Sequence, residues 1–170
     1  VKSILENIIC APILGYRAPS YSITNKSLWA IDILKDLGFT YDSSIFPIHH
    51  DTYGIPDAPR FGYRHANGLR EYPISTALFL GMKIPVSGGG YFRLFPYWFT
   101  RYALQTINRK EGKPFIFYLH PWEIDPQQPR MQQAKPLSRF RHYNNLSKTA
   151  VRLGRLFSDF SFTPFPAHAE

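Results

Sequence analysis

Residues 13–44 read ILGYRAPSYSITNKSLWAIDILKDLGFTYDSS, and this stretch decides the class of fold. Its two ends predict a short strand at 13–16 and, at 39–44, a second strand with its exit loop. Between them, apolar residues recur at the spacing of a helix, namely Leu28, Ile31, Leu34 and Leu37. We expect Thr24 or Asn25 to cap this helix and Gly38 to end it. A strand, a helix and a second strand in this order predict an α/β fold with parallel pairing.

The apolar run FIFYL at residues 115–119 predicts another strand, buried on both faces. The sequence HPWE follows it directly at residues 120–123, at the carboxyl end where sites form in parallel α/β folds. The rest of the chain predicts a helix at 3–9, a long loop at 46–69, a strand at 71–74, a glycine-rich loop at 88–93, a helix from Pro96 to about Asn108 and a last helix from about Leu146 to Phe160.

The composition is that of a globular domain. The chain has 170 residues, of which 44% are hydrophobic and 16% aromatic, enough for one hydrophobic core. Its formal net charge of +8 fits nucleic acid, an anionic membrane surface or an acidic polymer as partner. The basic residues are dispersed, however, which favours a solvated surface and argues against nucleic acid. The single cysteine excludes an internal disulfide and a thiolate zinc site, and no apolar run is long enough to cross a membrane.

Three polar residues that follow predicted strands are candidates for catalysis. Arg17 would fix a carboxylate, and a surface ion pair is the plainer alternative. His120 would act as a general acid or base, and a histidine bound to a backbone carbonyl is the alternative. Asp42 would orient a catalytic histidine, or it would form a turn.

Further residues allow two interpretations each. Trp122 suits a sugar subsite, because aromatic faces pack on pyranose rings, and it suits the core equally well. The glycines at 88–90 would let a polymer approach the backbone or would form a plain turn, and they lack the lysine of a phosphate loop. His49, His50 and His65 lack the spacing of metal ligands, so we interpret them as loop histidines.

The order of these segments resembles that of one known family. The sequences GYRAPSYSI at 15–23, YDSS at 41–44 and YLHPWE at 118–123 are similar to the later motifs of the NodB-type polysaccharide deacetylases, carbohydrate esterase family 4. The sequences GGGYFR at 88–93 and RHYNNL at 141–146 resemble the C-terminal extension of the branch linked with exosortase-type exopolysaccharide systems. The resemblance covers nearly the whole chain.

This resemblance implies a fold and a reaction. The fold would be the C-terminal part of a deformed (β/α) barrel of NodB type, incomplete at the N-terminus, over residues 1–125, with the extension at 126–170. The reaction would be hydrolysis of N-acetyl groups on amino sugars, with zinc or another divalent metal in the complete enzyme. The partner would be an N-acetylated polysaccharide or oligosaccharide, in the cytoplasm or periplasm of a bacterium, and the oligomeric state is left open.

The resemblance also assigns roles to positions of this chain. His120 matches the acid that protonates the leaving amine, Arg17 the arginine that tethers the catalytic base, and Asp42 the residue that lines the site and tunes the acid. A backbone N–H just after the arginine would help to hold the oxyanion. The same motifs place substrate contacts at Pro19, Ser20, Tyr21, Trp122 and Tyr91.

The metal-binding motifs of that family precede its arginine motif. They are an acidic pair, which supplies the base and one ligand, and an H-x-x-x-H pair, and neither occurs in residues 1–16. We therefore expect no metal ligand, no tightly bound metal and no deacetylase activity in this chain alone. The alternative function is non-catalytic binding of carbohydrate by aromatic side chains, namely Tyr91, Phe92, Trp98 and Trp122.

Overall fold

The computed structural model describes residues 1–165. It contains helices and short strands, so the predicted α/β class is confirmed at this level. The chain divides into two compact units, one of residues 1–74 and one that begins at Ser75. The boundary expected between residues 125 and 126 follows family motifs rather than packing, and it stays a prediction.

The first unit is a small, mostly parallel sheet with two helices. Its elements are α1 at Lys2–Ile9, β1 at Gly15–Tyr16, α2 at Ala30–Asp36, β2 at Tyr41–Asp42, β3 at Tyr63–Arg64 and β4 at Arg70–Glu71. The strand order is β1-β2-β4-β3, in which β1, β2 and β4 are parallel and β3 is antiparallel to β4. The predicted parallel pairing of the strands on either side of α2 is thus confirmed. The core contains mainly aliphatic side chains, among them Ile23, Ile31, Leu34, Phe39, Ile45 and Leu69.

Helix α2 is shorter than its apolar pattern predicts, and the predicted cap at Thr24 or Asn25 is wrong. The Ser27 hydroxyl accepts the N–H of Thr24, and the Ser27 N–H donates to the Thr24 carbonyl, both at 2.9 Å. Local bonds of this kind compete with helical ones, so a turn forms here and the helix begins only at Ala30. Gly38, at φ 77°, follows the helix and ends it as predicted.

The strand predicted at 71–74 is shorter and begins one residue earlier, as β4, so the two overlap only at Glu71. It stops before Tyr72 because Pro73 has no N–H to donate to a neighbouring strand. The segment predicted as a long loop, residues 46–69, contains the short strand β3. The predicted helix at 3–9 is confirmed as α1.

The described part of the second unit contains a hairpin and four α-helices. Its elements are β5 at Thr76–Phe79, β6 at Met82–Pro85, α3 at Gly89–Leu94, α4 at Tyr97–Gln105, α5 at Pro136–Tyr143 and α6 at Leu146–Asp159. The hairpin turns through Leu80 and Gly81, both at positive φ, as a type I′ turn requires. The predicted helices from Pro96 and from Leu146 are confirmed as α4 and α6, and α4 continues as a wider turn over Thr106–Lys110. No helix in the described part of the chain is long and apolar enough to span a membrane.

The glycine-rich segment at 88–93 is not the predicted loop. Gly88 precedes α3, and the other residues of the segment belong to that helix. A Cβ at Gly89 would lie 1.8 Å from Oε2 of Glu123, so the glycine is required by close packing rather than by a positive φ.

The prediction of a buried strand at 115–119 is wrong. The segment is half-buried and forms a single parallel bridge, between Tyr118 and Gly88. The Tyr118 N–H donates to the Ser87 carbonyl at 2.8 Å, and the Ile116 N–H donates to the Ser75 hydroxyl at 2.7 Å. A strand requires a neighbour along its length, and the apolar run does not indicate whether one exists.

Gly15 in β1 leaves room for a tyrosine ring of β2. A Cβ at position 15 would lie 2.1 Å from ring atoms of Tyr41, which contacts Tyr72 edge-on at a centroid distance of 5.8 Å. We expect Gly15→Ala to displace this ring and to lower the free energy of unfolding by about 1–3 kcal/mol, measured by urea denaturation. Gly154→Ala is the control, because no atom lies within 4 Å of its added Cβ in α6, and it should be stabilising. Equal effects of the two variants would contradict the steric explanation.

Candidate functional site

Arg17 lies directly after β1, and the residue after β2 holds its guanidinium group. Nε donates to the Ser43 carbonyl at 2.9 Å, and Nη2 donates to Ser43 Oγ at 2.8 Å. The Ser43 hydroxyl in turn donates to the Tyr72 carbonyl at 2.6 Å. The side chain of Arg17 therefore has a fixed direction, which suits the binding of a carboxylate.

The turn after Arg17 has an unusual backbone. Ser20 and Tyr21 have φ values of 56° and 52°, in the left-handed region that few residues other than glycine adopt. The N–H of Ala18 donates to Ser44 Oγ at 2.7 Å, and the N–H of Tyr21 donates to the Ala18 carbonyl at 3.2 Å. Strained backbone of this kind clusters at binding and catalytic sites, so the turn is a reasonable candidate for one.

The same turn presents two of its three predicted substrate contacts to solvent. Pro19 and Ser20 are exposed. Tyr21 is buried, and its ring packs against those of Phe46 and Tyr53 at centroid distances of 5.5 and 5.8 Å. Tyr21 thus supports the turn from the core.

Asp42 is fully buried beside a second carboxyl group, that of Glu71, which is its partner in the register of β2 with β4. Asp42 Oδ1 accepts the Ser44 hydroxyl at 2.6 Å, and Glu71 Oε1 accepts the Ile45 N–H at 3.0 Å. Burial, and then the charge of Glu71, raises the pKa of Asp42 to about 8. Burial also raises the pKa of Glu71. Two adjacent buried carboxyl groups hold a proton between them near neutral pH.

The half-buried His65 lies beside this pair, so its interpretation as a loop histidine is incomplete. Its Nε2 lies 3.6 Å from Glu71 Oε2, and neither atom has a hydrogen-bond partner among residues 1–165. Burial lowers the pKa of His65, which keeps its ring neutral near pH 7. No motif marks Glu71 or His65 in the sequence. Only the tertiary structure identifies them, because the register of β4 places Glu71 beside Asp42 and the fold places His65 beside Glu71.

His120 is exposed in the second unit, at the start of a tight turn over Pro121–Ile124. Its backbone N–H donates to Glu123 Oε2 at 2.9 Å. Its ring Nε2 contacts the hydroxyl of Tyr118. The ring is therefore accessible while the backbone that carries it is fixed, which suits a proton-transfer group.

The ring of Trp122 is in contact with three other side chains. The ring of His142 stacks on it at a centroid distance of 4.1 Å and an angle of 7°, and that of His120 lies 5.7 Å away at 22°. The guanidinium of Arg93 lies 5.3 Å from its centroid. Burial, and then the charge of Arg93, lowers the pKa of His142. Trp122 thus connects His120 to the end of α5.

The aromatic residues of α3 and α4 differ in exposure. Tyr91 is half-buried and stacks on Phe95 at 6.3 Å. Phe92 is fully buried, so it does not face a polymer as the carbohydrate-binding alternative requires. Trp98 is 69% exposed and does meet that requirement.

The predicted site residues fall into two groups. Arg17, Asp42 and the turn at 19–21 come together in the first unit, where Ser43 and Ser44 join them. His120 and Trp122 come together in the second unit, and Tyr91 lies there on α3.

All of the formal net charge also belongs to the second unit, because residues 1–74 contain seven basic and seven acidic side chains.

The described residues do not fit the divalent metal that the family resemblance implies. Within residues 1–165, no group of three His, Cys, Asp or Glu side chains is placed to hold a metal ion, whereas zinc sites in proteins use three or four such ligands. His50 has a structural role, since its Nδ1 accepts the Thr52 N–H at 3.2 Å and its ring stacks on Tyr53 at 3.8 Å.

Comparison with known proteins identifies a family but no characterised relative. No curated protein and no solved structure shows significant similarity to the chain. A family model described as a domain of unknown function, DUF3473, matches residues 43–169. This match begins directly after β2 and includes the buried carboxyl of Glu71 and the turn at His120. It covers most of the sequence, and the chain therefore belongs to the DUF3473 family.

Proposed function

We propose that the chain forms part of a metal-dependent carbohydrate N-deacetylase of NodB type. The observation that carries this proposal is the geometry of Arg17, whose guanidinium is fixed at the carboxyl end of a parallel strand by two bonds to Ser43. The strained turn that follows it and the exposed ring of His120 supply further support. The metal and the base would come from residues other than those described.

Each part of the reaction has a candidate group. In hydrolysis of an N-acetyl group, water adds to the amide carbonyl, the C–N bond breaks and the leaving nitrogen takes a proton. His120 would donate that proton from its accessible ring. Arg17 would hold the carboxylate that accepts a proton from the attacking water. Acetate and a free amino sugar are the products.

The alternative is carbohydrate binding without catalysis. The exposed indole of Trp98 favours it, because an exposed aromatic ring suits contact with a sugar face. In this alternative the protein would bind N-acetylated oligosaccharide without releasing acetate. Trp98→Ala would weaken that binding.

Acetate release from N-acetylated chitooligosaccharide tests the proposal. A gene product that contains this chain together with the acidic pair and the H-x-x-x-H pair should release acetate, whereas the chain of 170 residues alone should release none. In that product, His120→Ala should lower kcat by about 10²–10⁴-fold, which is the usual contribution of a general acid. His49→Ala is the matched control, because His49 is an exposed loop residue and its loss should leave kcat unchanged.

Two results would contradict parts of this proposal. Binding of the oligosaccharide without acetate release would support the alternative. Acetate release by the present chain, lost in His120→Ala, would show that the expectation of inactivity is wrong.

A further inference from the structure

A buried ion pair lies beside the turn that carries His120. Glu123 and Arg93 are each 2% exposed, and Oε1 of Glu123 lies 3.1 Å from both Nε and Nη2 of Arg93. The other oxygen, Oε2, accepts the N–H of His120 at 2.9 Å. A carboxylate this deeply buried is stable only when it is paired and hydrogen-bonded, and both of its oxygens are engaged here. Glu123 therefore joins Arg93 to the backbone of His120.

Arg93 joins the same turn to the end of α5. Its Nη1 donates to the carbonyls of His142 and Asn144 at 2.8 and 2.9 Å, and its Nη2 donates to the carbonyl of Arg141 at 3.1 Å. The last carbonyls of a helix lack partners within the helix, so a cation is well placed there. With the Nε bond to Glu123, these bonds use four of the five N–H donors of the guanidinium group, and Nη2 lies within ion-pair distance of Glu123 as well.

A stack of rings makes a second connection between the same two segments. His142, in the last turn of α5, stacks on Trp122, and Trp122 lies beside the ring of His120. Gln128 Oε1 and His142 Nε2 are 2.8 Å apart, and Gln128 Nε2 donates to the Trp122 carbonyl at 2.8 Å. The end of α5 is thus attached to the His120 turn through the stacked rings and Gln128 as well as through Arg93.

We propose that Arg93, Glu123 and the end of α5 form a clamp whose role is to position His120 for proton transfer. Arg93, Glu123 and His142 are positioning residues in this arrangement, since they act through the backbone and ring of His120. Misplacement of a catalytic group by about 1 Å is enough to slow a reaction by about 10²-fold, which gives such a clamp a function. The role in proton transfer rests on the proposed function, whereas the fixation of the turn does not.

Hydrogen exchange of the His120 amide, followed by NMR in the full chain of 170 residues, tests the clamp without any need for activity. Glu123→Asp keeps the charge but is one methylene too short to reach both Arg93 and His120. Arg93→Lys keeps the charge but has only three donors. Each variant should speed exchange at His120 by about tenfold or more relative to the unmodified chain. Asp125→Asn, next to the turn and exposed, is the control and should leave this rate unchanged.

A second pair of variants keeps the proposal testable if the ion-pair variants do not fold. His142→Ala removes the ring that stacks on Trp122, and His142→Phe keeps a ring there. His142→Ala should speed exchange at His120, and His142→Phe should restore most of the protection. Unchanged exchange in the folded variants, or equal exchange in the two His142 variants, would overturn the clamp.

Kinetics separate the clamp from the proposed function. In the active gene product that also contains the acidic pair and the H-x-x-x-H pair, Glu123→Asp should lower kcat by about 10-fold or more with KM nearly unchanged, and should change the limb of the pH profile that depends on His120. A loss of active protein with an unaltered pH profile would overturn the positioning role. Absence of acetate release in the unmodified protein would contradict the proposed function, and the exchange rates would then decide the clamp alone.

Discussion

Replacing Arg93 with alanine should lower the free energy of unfolding of the second unit by about 3–5 kcal/mol, the usual cost of removing one partner of a buried ion pair. The reason is the charge that remains. Glu123 is 2% exposed, so without Arg93 its carboxylate would keep, among residues 1–165, only the N–H of His120 as a partner. The carbonyls of Arg141, His142 and Asn144 would also lose their donor.

Urea denaturation followed by tryptophan fluorescence measures this effect, because Trp98 and Trp122 lie in the same unit as Arg93. Arg101→Ala is the matched control. Arg101 also forms an ion pair, with Asp159 at 3.0 Å, but its side chain is 47% exposed and water screens the contact. A loss of stability as large in Arg101→Ala as in Arg93→Ala would show that burial of the pair is not the cause.

Raising the pH from about 6.5 to about 9 should destabilise the first unit by on the order of 2–3 kcal/mol through Asp42 and Glu71. The pKa of Asp42 is raised to about 8 and that of Glu71 to about 7, chiefly by burial. The folded state therefore binds more protons than the unfolded state up to those values. The stability from both groups is fully present below their ordinary values near pH 4 and is lost as the pH rises through the raised ones.

The ionisation of His65 sets the lower limit of the pH range over which this loss of stability is expected. Its pKa is lowered by burial, so its contribution to stability is present above the ordinary histidine pKa of about 6.5 and is lost at lower pH. Above pH 6.5 the carboxyl groups of Asp42 and Glu71 therefore determine how steeply the free energy of unfolding falls with pH.

Free energies of unfolding at several pH values check the prediction. Asp42→Asn should flatten the dependence above pH 6.5, because the amide cannot ionise. Asp36→Asn is the control, since Asp36 lies exposed on α2 and its replacement should leave the slope as it is. A slope that persists in Asp42→Asn would contradict the assignment to the buried pair.

The motifs GYRAPSYSI at 15–23 and YDSS at 41–44 are held together by hydrogen bonds in the first unit. Ser43 holds the guanidinium of Arg17, and Ser44 joins the N–H of Ala18 to the carboxyl of Asp42. The serines at 43–44 therefore fix the direction of Arg17 and the start of its turn. Their spacing from Arg17 gives no sign of this in the sequence, since the contacts span 26 residues.

The sequence by itself determined the elements whose signals are local. The parallel pairing of β1 with β2, the end of α2 at Gly38 and the course of α6 all follow from apolar spacing and from helix-ending residues. These signals come from short stretches of sequence and from the order of strand, helix and strand, so they can be recognised before the tertiary contacts are known.

Tertiary structure alone decided the rest, because it depends on partners distant in the chain. The run at 115–119 is apolar enough for a strand, yet it meets a single bridge partner. Glu71 is identified by its register with Asp42, and Gly89 by the carboxylate of Glu123 packed against it. Arg93 appears in the sequence as one basic residue among twenty, and only folding removes it from water and gives its guanidinium group hydrogen-bond acceptors. Arg93 has a structural role because it is buried and paired, and burial and pairing arise only when the chain is packed.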